Sequence, residues 1–165
     1  MEFEEVVGDS AEPGEVVAFA RAVIEGERDR IATLANISAL LAQYLPRLNW
    51  VGFYLFAPGA GEGILGPFQG RVACTRIRVG EGVVGTCAEQ RRSLVVPDVE
   101  QFPGHIACDK ASRSEIVVPV FDKTRVAAVL DADAPEFNRF GAGDQRLLEE
   151  VARHLSRHWP EMTGA

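Results

Sequence analysis

Apolar residues at helical spacing open and close the chain. In one such stretch they recur every three or four residues from Ile31 to Tyr44, which is the period of an amphipathic helix. Pro13 suits the first turn of a preceding helix, and Pro46 limits the end of the second. The pattern therefore predicts three long helices, Ser10–Glu25, Asp29–Leu45 and Ala142–His158.

Short apolar and aromatic runs, separated by turn residues, predict strands between these helices. The predicted strands are Asn49–Phe56, Ile64–Phe68, Cys74–Val79, Leu94–Val96, Ser114–Phe121 and Arg125–Asp133. The stretch Gly80–Gln90 predicts a short helix, and Pro58–Gly63 predicts a turn. Alternation places Trp50 and Tyr54 on one face of the first strand, while its other face is apolar as well. We therefore expect an α+β fold with a mostly antiparallel sheet of about six strands, flanked by helices on both faces.

Composition narrows the class of protein without changing this fold. The chain has 165 residues, enough for a single domain over residues 1–165, of which we expect about the first ten to be flexible. A formal net charge of −7 and the lack of a Lys/Arg run argue against nucleic-acid binding. The sequence has no signal-peptide pattern, and no apolar stretch approaches the roughly 20 residues that span a bilayer. We therefore expect a cytoplasmic protein that does not bind membranes.

The segment Val96–Val120 carries the most concentrated chemistry in the chain. Between its apolar ends lies a polar loop, Pro97–Ala111 and the residues just after it, and long loops in compact domains are often functional. The loop holds a cysteine and three basic residues, Cys108, His105, Lys110 and Arg113. Because nearby positive charge lowers the pKa of a thiol, Cys108 is a candidate nucleophile. The alternative is that Cys108 is a small buried apolar residue.

The predicted hairpin of the last two strands brings carboxylates together. If three residues form its loop, Glu115 lies opposite Asp131, and Asp133 shares the face of Asp131 two residues further on. Like charges that oppose each other destabilise a sheet, so this patch suggests a compensating cation, either an ammonium group or a metal ion. A two-residue loop would instead place Ala132 opposite Glu115, and the acids would also be tolerated if they pointed into water at the strand ends.

The three cysteines leave two further alternatives open. In a reducing compartment they are more often free, catalytic or metal-bound than part of a disulfide framework. Cys74, Cys87, His105 and Cys108 offer four ligands for zinc, but the chain lacks the Cys-x2-Cys spacing that would make this a strong signal. A thiol–disulfide cycle needs only two cysteines with Cα atoms within about 4.4–6.8 Å, such as Cys108 on its loop and Cys74 at a strand edge. Core packing remains the alternative for Cys74 and Cys87.

Six segments of the chain follow one another as they do in a known family. They are Asn49–Leu55, Leu65–Gly70, Ala73–Ile77, Gly80–Thr86, Val96–Val120 and Val129–Asp133. Together they resemble the free methionine-(R)-sulfoxide reductases, which are stand-alone GAF domains, and the resemblance spans Val23 to Leu155. Its most specific part is PGHIACDKASRSEIVVP. The resemblance implies a homodimer that reduces the R epimer of free methionine sulfoxide.

The resemblance also implies roles for particular residues. Cys108 matches the catalytic cysteine of the family, and Cys74 matches the cysteine that recycles it through a disulfide. The substrate-binding residues of the family match Trp50, Tyr54, Glu115, Asp131 and Asp133. Glu115 and Asp133 are the candidates for the acid that protonates the sulfoxide oxygen. The resemblance implies no bound cofactor and no metal, with thioredoxin, or dithiothreitol in vitro, as the reductant.

The chain departs from the family pattern at Val84, where a third cysteine is common. Cys87 follows three residues later and shares a face with Val84 if the segment is helical. Its thiol is therefore either a partial substitute for the missing cysteine or a bystander. Two alternatives to a reductase are a GAF sensor that binds a small ligand or responds to redox state, and a zinc-stabilised interaction module.

Overall fold

Residues 11–164, the part of the chain described by this computed structural model, form four α-helices, six strands and two short 3-10 helices. The helices are α1 (Pro13–Gly26), α2 (Arg30–Tyr44), α3 (Gly82–Gln90) and α4 (Ala142–His158). The strands are β1 (Trp50–Leu55), β2 (Glu62–Gly70), β3 (Arg76–Arg78), β4 (Leu94–Val96), β5 (Ser114–Asp122) and β6 (Arg125–Ala134). Ser10, the predicted start of the first helix, and the predicted flexible segment lie outside the described residues.

The six strands form one antiparallel sheet in the order β3-β2-β1-β6-β5-β4. Helices α1, α2 and α4 cover one face, and α3 covers the other. This arrangement confirms the predicted α+β fold with helices on both sides of the sheet. Gly52 allows β2 to pass close to β1, because a Cβ at Gly52 would lie 2.3 Å from the Cβ of Phe68.

The larger core lies between the sheet and the three long helices. Phe53 of β1 and Leu130 of β6 are fully buried there against Leu34 of α2 and Leu148 of α4. Burying a side chain of this size contributes about 1.5–3 kcal/mol to folding. The start of α2 is fixed by Asp29, whose Oδ1 accepts a hydrogen bond from the N–H of Ala32 at 2.8 Å, as an N-cap residue does. Helix packing therefore anchors one face of the sheet and leaves the other for the site.

The hairpin of β5 and β6 differs from the prediction in its register. Its loop has two residues, because Asp122 pairs with Arg125, and Glu115 faces Asp133 instead of Asp131. A two-residue loop alone would have placed Glu115 opposite Ala132. A β-bulge between Val120 and Phe121 shifts the pairing by one more residue. Glu115 therefore lies on the same face of the sheet as in the prediction with a three-residue loop. The predicted pairing was wrong, but the three carboxylates do share one face of the sheet.

The strand predicted over Cys74–Val79 is also shorter than expected. Only Arg76–Arg78 forms β3, and Cys74 lies in the connection that precedes it. The backbone of this connection is held by single hydrogen bonds outside the regular strand pairing. In one of them, the N–H of Leu65 donates to the carbonyl oxygen of Thr75 at 3.0 Å. Cys74 is therefore held on a connection between β2 and β3, and the prediction that it belongs to a strand was wrong.

Candidate active site

A cavity that opens to solvent lies on the sheet face opposite the three long helices. Its floor comes from β1, β5 and β6, and its walls come from the first turn of α3 and from the loop that carries Cys108. The residues that line it are Trp50, Tyr54, Ala73, Ile77, Gly82, Val83, Val84, His105, Ile106, Cys108, Asp109, Ser112, Glu115, Asp131 and Asp133. The cavity thus gathers side chains from distant parts of the sequence into one mixed polar and apolar space.

Cys74 and Cys108 are joined by a disulfide in the wall of this cavity. Their Cα atoms lie 5.4 Å apart across 34 residues of sequence, within the range that a disulfide requires. The bond connects the loop before β5 to the connection before β3. The bond also uses the sulfur atoms of Cys74 and Cys108, which are two of the four ligands that the zinc alternative requires. The third cysteine, Cys87, is fully buried in the apolar cluster under α3.

Three carboxylates form the acidic part of the floor. Glu115, Asp131 and Asp133 each place an oxygen within 4.8 Å of the others. Glu115 and Asp131 are each only 5% exposed, and Asp133 is half-buried. Burial, with the neighbouring Asp133 charge, raises the pKa of both Glu115 and Asp131 well above the usual range. At neutral pH this crowding favours carboxyl groups that keep a proton, unless a cation joins them.

Asp133 is set apart from the other two acids by its surroundings. Burial raises the pKa of Asp133 to about 7. A hydrogen bond from Ser112 and the charge of His105 act in the opposite direction and lower this pKa. The Nε2 atom of His105 lies 3.7 Å from Oε2 of Glu115, and burial lowers the pKa of this histidine. A group that titrates near neutral pH is well suited to exchange protons during a reaction.

The aromatic wall of the cavity also supports the backbone around Cys74. Trp50 stacks on Tyr54 with ring centroids 6.1 Å apart and on Phe68 at 5.3 Å. The Trp50 Nε1–H donates to the carbonyl of Arg71 at 3.2 Å, and the Tyr54 hydroxyl donates to the carbonyl of Cys74 at 2.9 Å. Burial raises the pKa of Tyr54, which keeps the hydroxyl in its donor form.

Positive charge around Cys108 is sparser than the sequence suggested. His105 lines the cavity beside Cys108, whereas Lys110 is exposed. The Arg113 guanidinium lies 3.8 Å from Glu100 and over the ring of Phe137. Of the three basic residues near Cys108 in sequence, His105 is thus the one that the described residues bring into the cavity.

The substitution at Val84 and the nearby Cys87 occupy different environments. Val84 lines the cavity, while Cys87 is fully buried one turn further along α3 and does not line it. Burial, with the charges of Asp131 and Glu115, raises the pKa of the Cys87 thiol. Since the thiolate is the reactive form, this position favours the bystander interpretation.

Several lining residues were not singled out from the sequence. Asp109 and Ser112 belong to the segment that was recognised, but nothing in their spacing distinguished them. The Nδ2 of Asn49, the residue before β1, donates to Asp109 and to Ser112, in both cases at 3.0 Å. A signal for Asn49 exists only in three dimensions, because 60 residues separate it from Asp109.

The first turn of α3 adds backbone N–H groups to the wall. Gly82 and Val83 at its start line the cavity together with Val84. The first four N–H groups of a helix have no partner within the helix, and they carry partial positive charge. The cavity therefore combines groups that favour a cation, groups that favour an anion, an aromatic wall and a cysteine pair. This combination suits a zwitterionic ligand with an apolar, redox-active end.

The fold and this cavity define the chain as a GAF domain with a cysteine pair in the wall of the cavity. The GAF domain family matches residues 10–158. The free methionine-R-sulfoxide reductase of Escherichia coli (strain K12) is 46% identical over 136 residues, which is 82% of this chain and 81% of that protein.

Two solved structures of reductases agree with this result. Free methionine-R-sulfoxide reductase from Neisseria meningitidis, in complex with its substrate, has a TM-score of 0.89 and 40% identity, covering 94% of this chain and 95% of that chain. The reduced form of fRMsr of Staphylococcus aureus has a TM-score of 0.85 and 45% identity, covering 93% and 98%. The chain therefore belongs to the free methionine-R-sulfoxide reductases, a family of oxidoreductases that act on sulfur.

Within residues 11–164, no helix combines the length and the apolar character needed to cross a membrane.

Proposed function

We propose that this chain reduces free L-methionine-(R)-sulfoxide to L-methionine, with Cys108 as the nucleophile and Cys74 as the recycling cysteine. The observation that carries the proposal is the Cys74–Cys108 disulfide in the wall of a cavity whose floor holds three acids, two of them buried and one half-buried. A cysteine cycle explains the pair of sulfurs, and a free amino acid explains the acids. A methionine inside a protein chain lacks the ammonium group that the acids would bind.

The polar ends of the substrate have matching groups in the cavity. Oδ1 of Asp131 is buried without a hydrogen-bond partner among the described residues, and an unpaired buried polar atom costs about 1–3 kcal/mol. A substrate ammonium group placed among Asp131, Glu115 and Asp133 would satisfy this oxygen and offset the repulsion. The carboxylate of the substrate would bind N–H groups of the Cys108 loop or of the first turn of α3.

The apolar end of the substrate would meet the aromatic wall. Trp50 and Tyr54 line the cavity on the strand next to the acids. Sulfur and methyl groups pack favourably against aromatic rings, with a gain of about 0.3–1.5 kcal/mol for a sulfur contact. This contact would turn the sulfoxide sulfur towards the wall that holds Cys108.

The reaction proceeds in two balanced stages. The Cys108 thiolate attacks the sulfoxide sulfur while Glu115 or Asp133 protonates the oxygen, which gives an S–S-bonded adduct that carries a hydroxyl group on the substrate sulfur. The hydroxyl group then passes to the Cys108 sulfur as the S–S bond and the S–O bond of the substrate break, so that methionine leaves and Cys108 becomes a sulfenic acid. The substrate sulfur gains two electrons, and Cys108 loses two. The Cys74 thiol then attacks the sulfenic sulfur, so that an S–S bond forms, the S–O bond breaks and water leaves. Thioredoxin, or dithiothreitol in vitro, returns the disulfide to two thiols.

The setting of this reaction follows from the family resemblance. We propose that the chain is a single domain that acts in the cytoplasm as a homodimer, without a bound cofactor or metal, in defence against oxidative stress. The acidic trio also has a geometry that suits a metal ion. Assays with a chelator separate the two cations, because an ammonium site keeps its activity when metal is removed.

An epimer-resolved assay tests the proposal most directly. Reduced protein is incubated with racemic free methionine sulfoxide and dithiothreitol, beside Cys108→Ser and with Cys87→Ser as the matched control. We expect loss of the R epimer alone, the same loss in Cys87→Ser and none in Cys108→Ser. If folded protein with free thiols consumes neither epimer, the reductase proposal is wrong and a GAF sensor becomes the better explanation.

A further inference from the structure

The Asn49 side chain holds the turn that follows Cys108. Its Nδ2 donates one hydrogen bond to Oδ2 of Asp109 and another to Oγ of Ser112, both at 3.0 Å. Asp109 and Ser112 are the two ends of this turn, since the N–H of Ser112 donates to the carbonyl of Asp109 at 3.2 Å. One amide group therefore grips both ends of the four-residue turn next to the cysteine.

The partners of Asn49 are themselves fixed in place. Oδ1 of Asp109 accepts from the N–H of Ala111 at 2.9 Å, so that both carboxylate oxygens of Asp109 are engaged. The backbone N–H of Asn49 donates to the carbonyl of Asp133 at 3.0 Å, which ties Asn49 to the central pair of strands. The turn is thus bound to the rigid sheet and not only to its own loop.

The amide donor explains why a polar residue occupies this position. Oδ1 of Asn49 is buried and has no hydrogen-bond partner among the described residues, a cost that an apolar residue would avoid. The favourable contribution of the side chain therefore comes from its two N–H groups. One of them bonds a carboxylate, and hydrogen bonds to charged groups are stronger than those between neutral groups.

The segment of Cys74 is held by Tyr54, a residue of the strand β1 that directly follows Asn49. The Tyr54 hydroxyl of β1 donates to the carbonyl of Cys74 at 2.9 Å. Asn49, directly before β1, holds the residue after Cys108. One strand thereby positions both cysteine-bearing segments, whose Cα atoms lie 5.4 Å apart.

We propose that Asn49 is a positioning residue for the cysteine cycle, which holds the Cys108 turn so that Cys108 and Cys74 close into a disulfide. This inference rests on the proposed function for its place in the reaction, but its physical effect is on the thiol–disulfide equilibrium. Without the two hydrogen bonds from Asn49, the Cys108 turn has more conformational freedom in the reduced protein. It loses that freedom when the Cys74–Cys108 disulfide forms. Removal of the grip therefore makes the disulfide less stable and its formation slower.

The first test measures the disulfide equilibrium without any substrate. Wild type, Asn49→Ala and Asp109→Ala are equilibrated with reduced and oxidised dithiothreitol, and the Cys74–Cys108 bond is quantified by thiol labelling. We expect the disulfide to be at least about tenfold less stable in both variants, equivalent to a shift of about 30 mV to more positive potential. Asp109→Ala replaces Asn49→Ala if the latter does not fold. The double variant should lose less disulfide stability than the sum of the losses in the two single variants, because Asn49 and Asp109 contact each other.

A matched control separates this role from general destabilisation. Ser38 is a fully buried polar residue of α2 whose hydroxyl bonds the carbonyls of Leu34 and Pro67, and it lies outside the cavity lining. Ser38→Ala should lower the free energy of unfolding and leave the disulfide equilibrium unchanged. An equilibrium constant equal to wild type in folded Asn49→Ala and in Asp109→Ala, or an equal shift in Ser38→Ala, overturns the proposal.

The second test follows one turnover. After addition of one equivalent of (R)-sulfoxide, methionine and free thiols are measured by rapid quench, and the sulfenic acid is trapped with dimedone. We expect Asn49→Ala to close the disulfide about 10–100-fold more slowly, with sulfenic acid accumulating after methionine has formed. Closure at the wild-type rate contradicts the positioning role. No methionine from wild type contradicts the proposed function instead, and the substrate-free equilibrium still decides the role of Asn49.

Discussion

The two faces of the sheet differ in what their buried residues do. On the face under α1, α2 and α4, the side chains from β5 and β6 are apolar, as in Ile116, Val118 and Leu130. On the opposite face, the same strands present Glu115 and Asp131 to a cavity. Because successive side chains of a strand point to opposite faces, one strand contributes alternately to the core and to the site. Residues that stabilise the core therefore alternate, along the same strand, with residues that line the cavity.

This division implies that variants on the two faces fail in different ways. Truncations under the long helices should lower the free energy of unfolding without changing the reaction. Changes on the cavity face should alter the reaction with little loss of stability, because the crowded acids already oppose folding.

Cys74→Ser should reduce catalysis from many turnovers to about one in the presence of thioredoxin. The sulfenic acid on Cys108 would still form, but no thiol would be held near it to close the disulfide. Methionine released per protein is counted with thioredoxin alone and again with dithiothreitol, which attacks the sulfenic acid directly. Multiple turnovers with thioredoxin alone would remove Cys74 from the recycling role. Cys87→Ser serves as the control and should resemble wild type.

Leu130→Ala should lower the free energy of unfolding by about 2–5 kcal/mol, because it leaves a cavity in the larger core. Leu130 is fully buried between its neighbours Val129 and Asp131, which face the other side. Denaturant unfolding measures the loss, and kcat/KM well below the melting temperature should stay within about twofold of wild type. A large fall in kcat/KM in the folded variant would show that the two faces are coupled.

Glu115→Gln should lower kcat/KM for free methionine-(R)-sulfoxide by about 10–100-fold, since a charge-assisted hydrogen bond to the ammonium group is lost. The free energy of unfolding should be equal to wild type or higher, because one of three crowded acids has been neutralised. Steady-state kinetics and urea unfolding on the same preparation give both values. Unchanged kinetics would exclude Glu115 from the site, and marked destabilisation would make its role structural.

The pH dependence of stability should differ between wild type and Asp133→Asn. Burial raises the pKa of Asp133 to about 7 in the folded protein, so the folded state binds a proton that the unfolded state releases at lower pH. The contribution of Asp133 to stability is therefore present at acidic pH and is lost as pH rises towards 7. Urea unfolding of substrate-free protein from pH 4.5 to 7.5 should show a smaller fall in Asp133→Asn. Identical slopes would mean that Asp133 is ionised throughout.

Local patterns were enough to predict most of the secondary structure. Helix α4 and strand β4 have the predicted bounds, and α2 begins one residue after the predicted start because Asp29 is its N-cap. The errors arose where tertiary contacts replace the local pattern. The connection around Cys74 is apolar and short enough to resemble a strand, but the Tyr54 hydroxyl and the neighbouring strand satisfy its backbone.

The acidic patch was predicted for a partly wrong reason. Strand alternation correctly assigned Glu115, Asp131 and Asp133 to one face, but the assumed three-residue loop does not exist. The bulge between Val120 and Phe121 compensates for the shorter loop, and nothing in the local sequence announces it. A register error of an odd number of residues would have turned Glu115 to the opposite face.

By itself, the sequence determined the helices and strands, the faces on which their side chains lie, and the family to which the chain belongs. These properties depend on periodicity and on short motifs, which residues a few positions apart already express. The family resemblance also implied the pairing of Cys74 with Cys108, which the structure confirms. Three features came only from the tertiary structure: the register that opposes Glu115 to Asp133, the burial of Cys87 and the hydrogen bond from Asn49 to Asp109. Each of these depends on contacts between residues that are distant in the chain, and such contacts exist only once the sheet has formed.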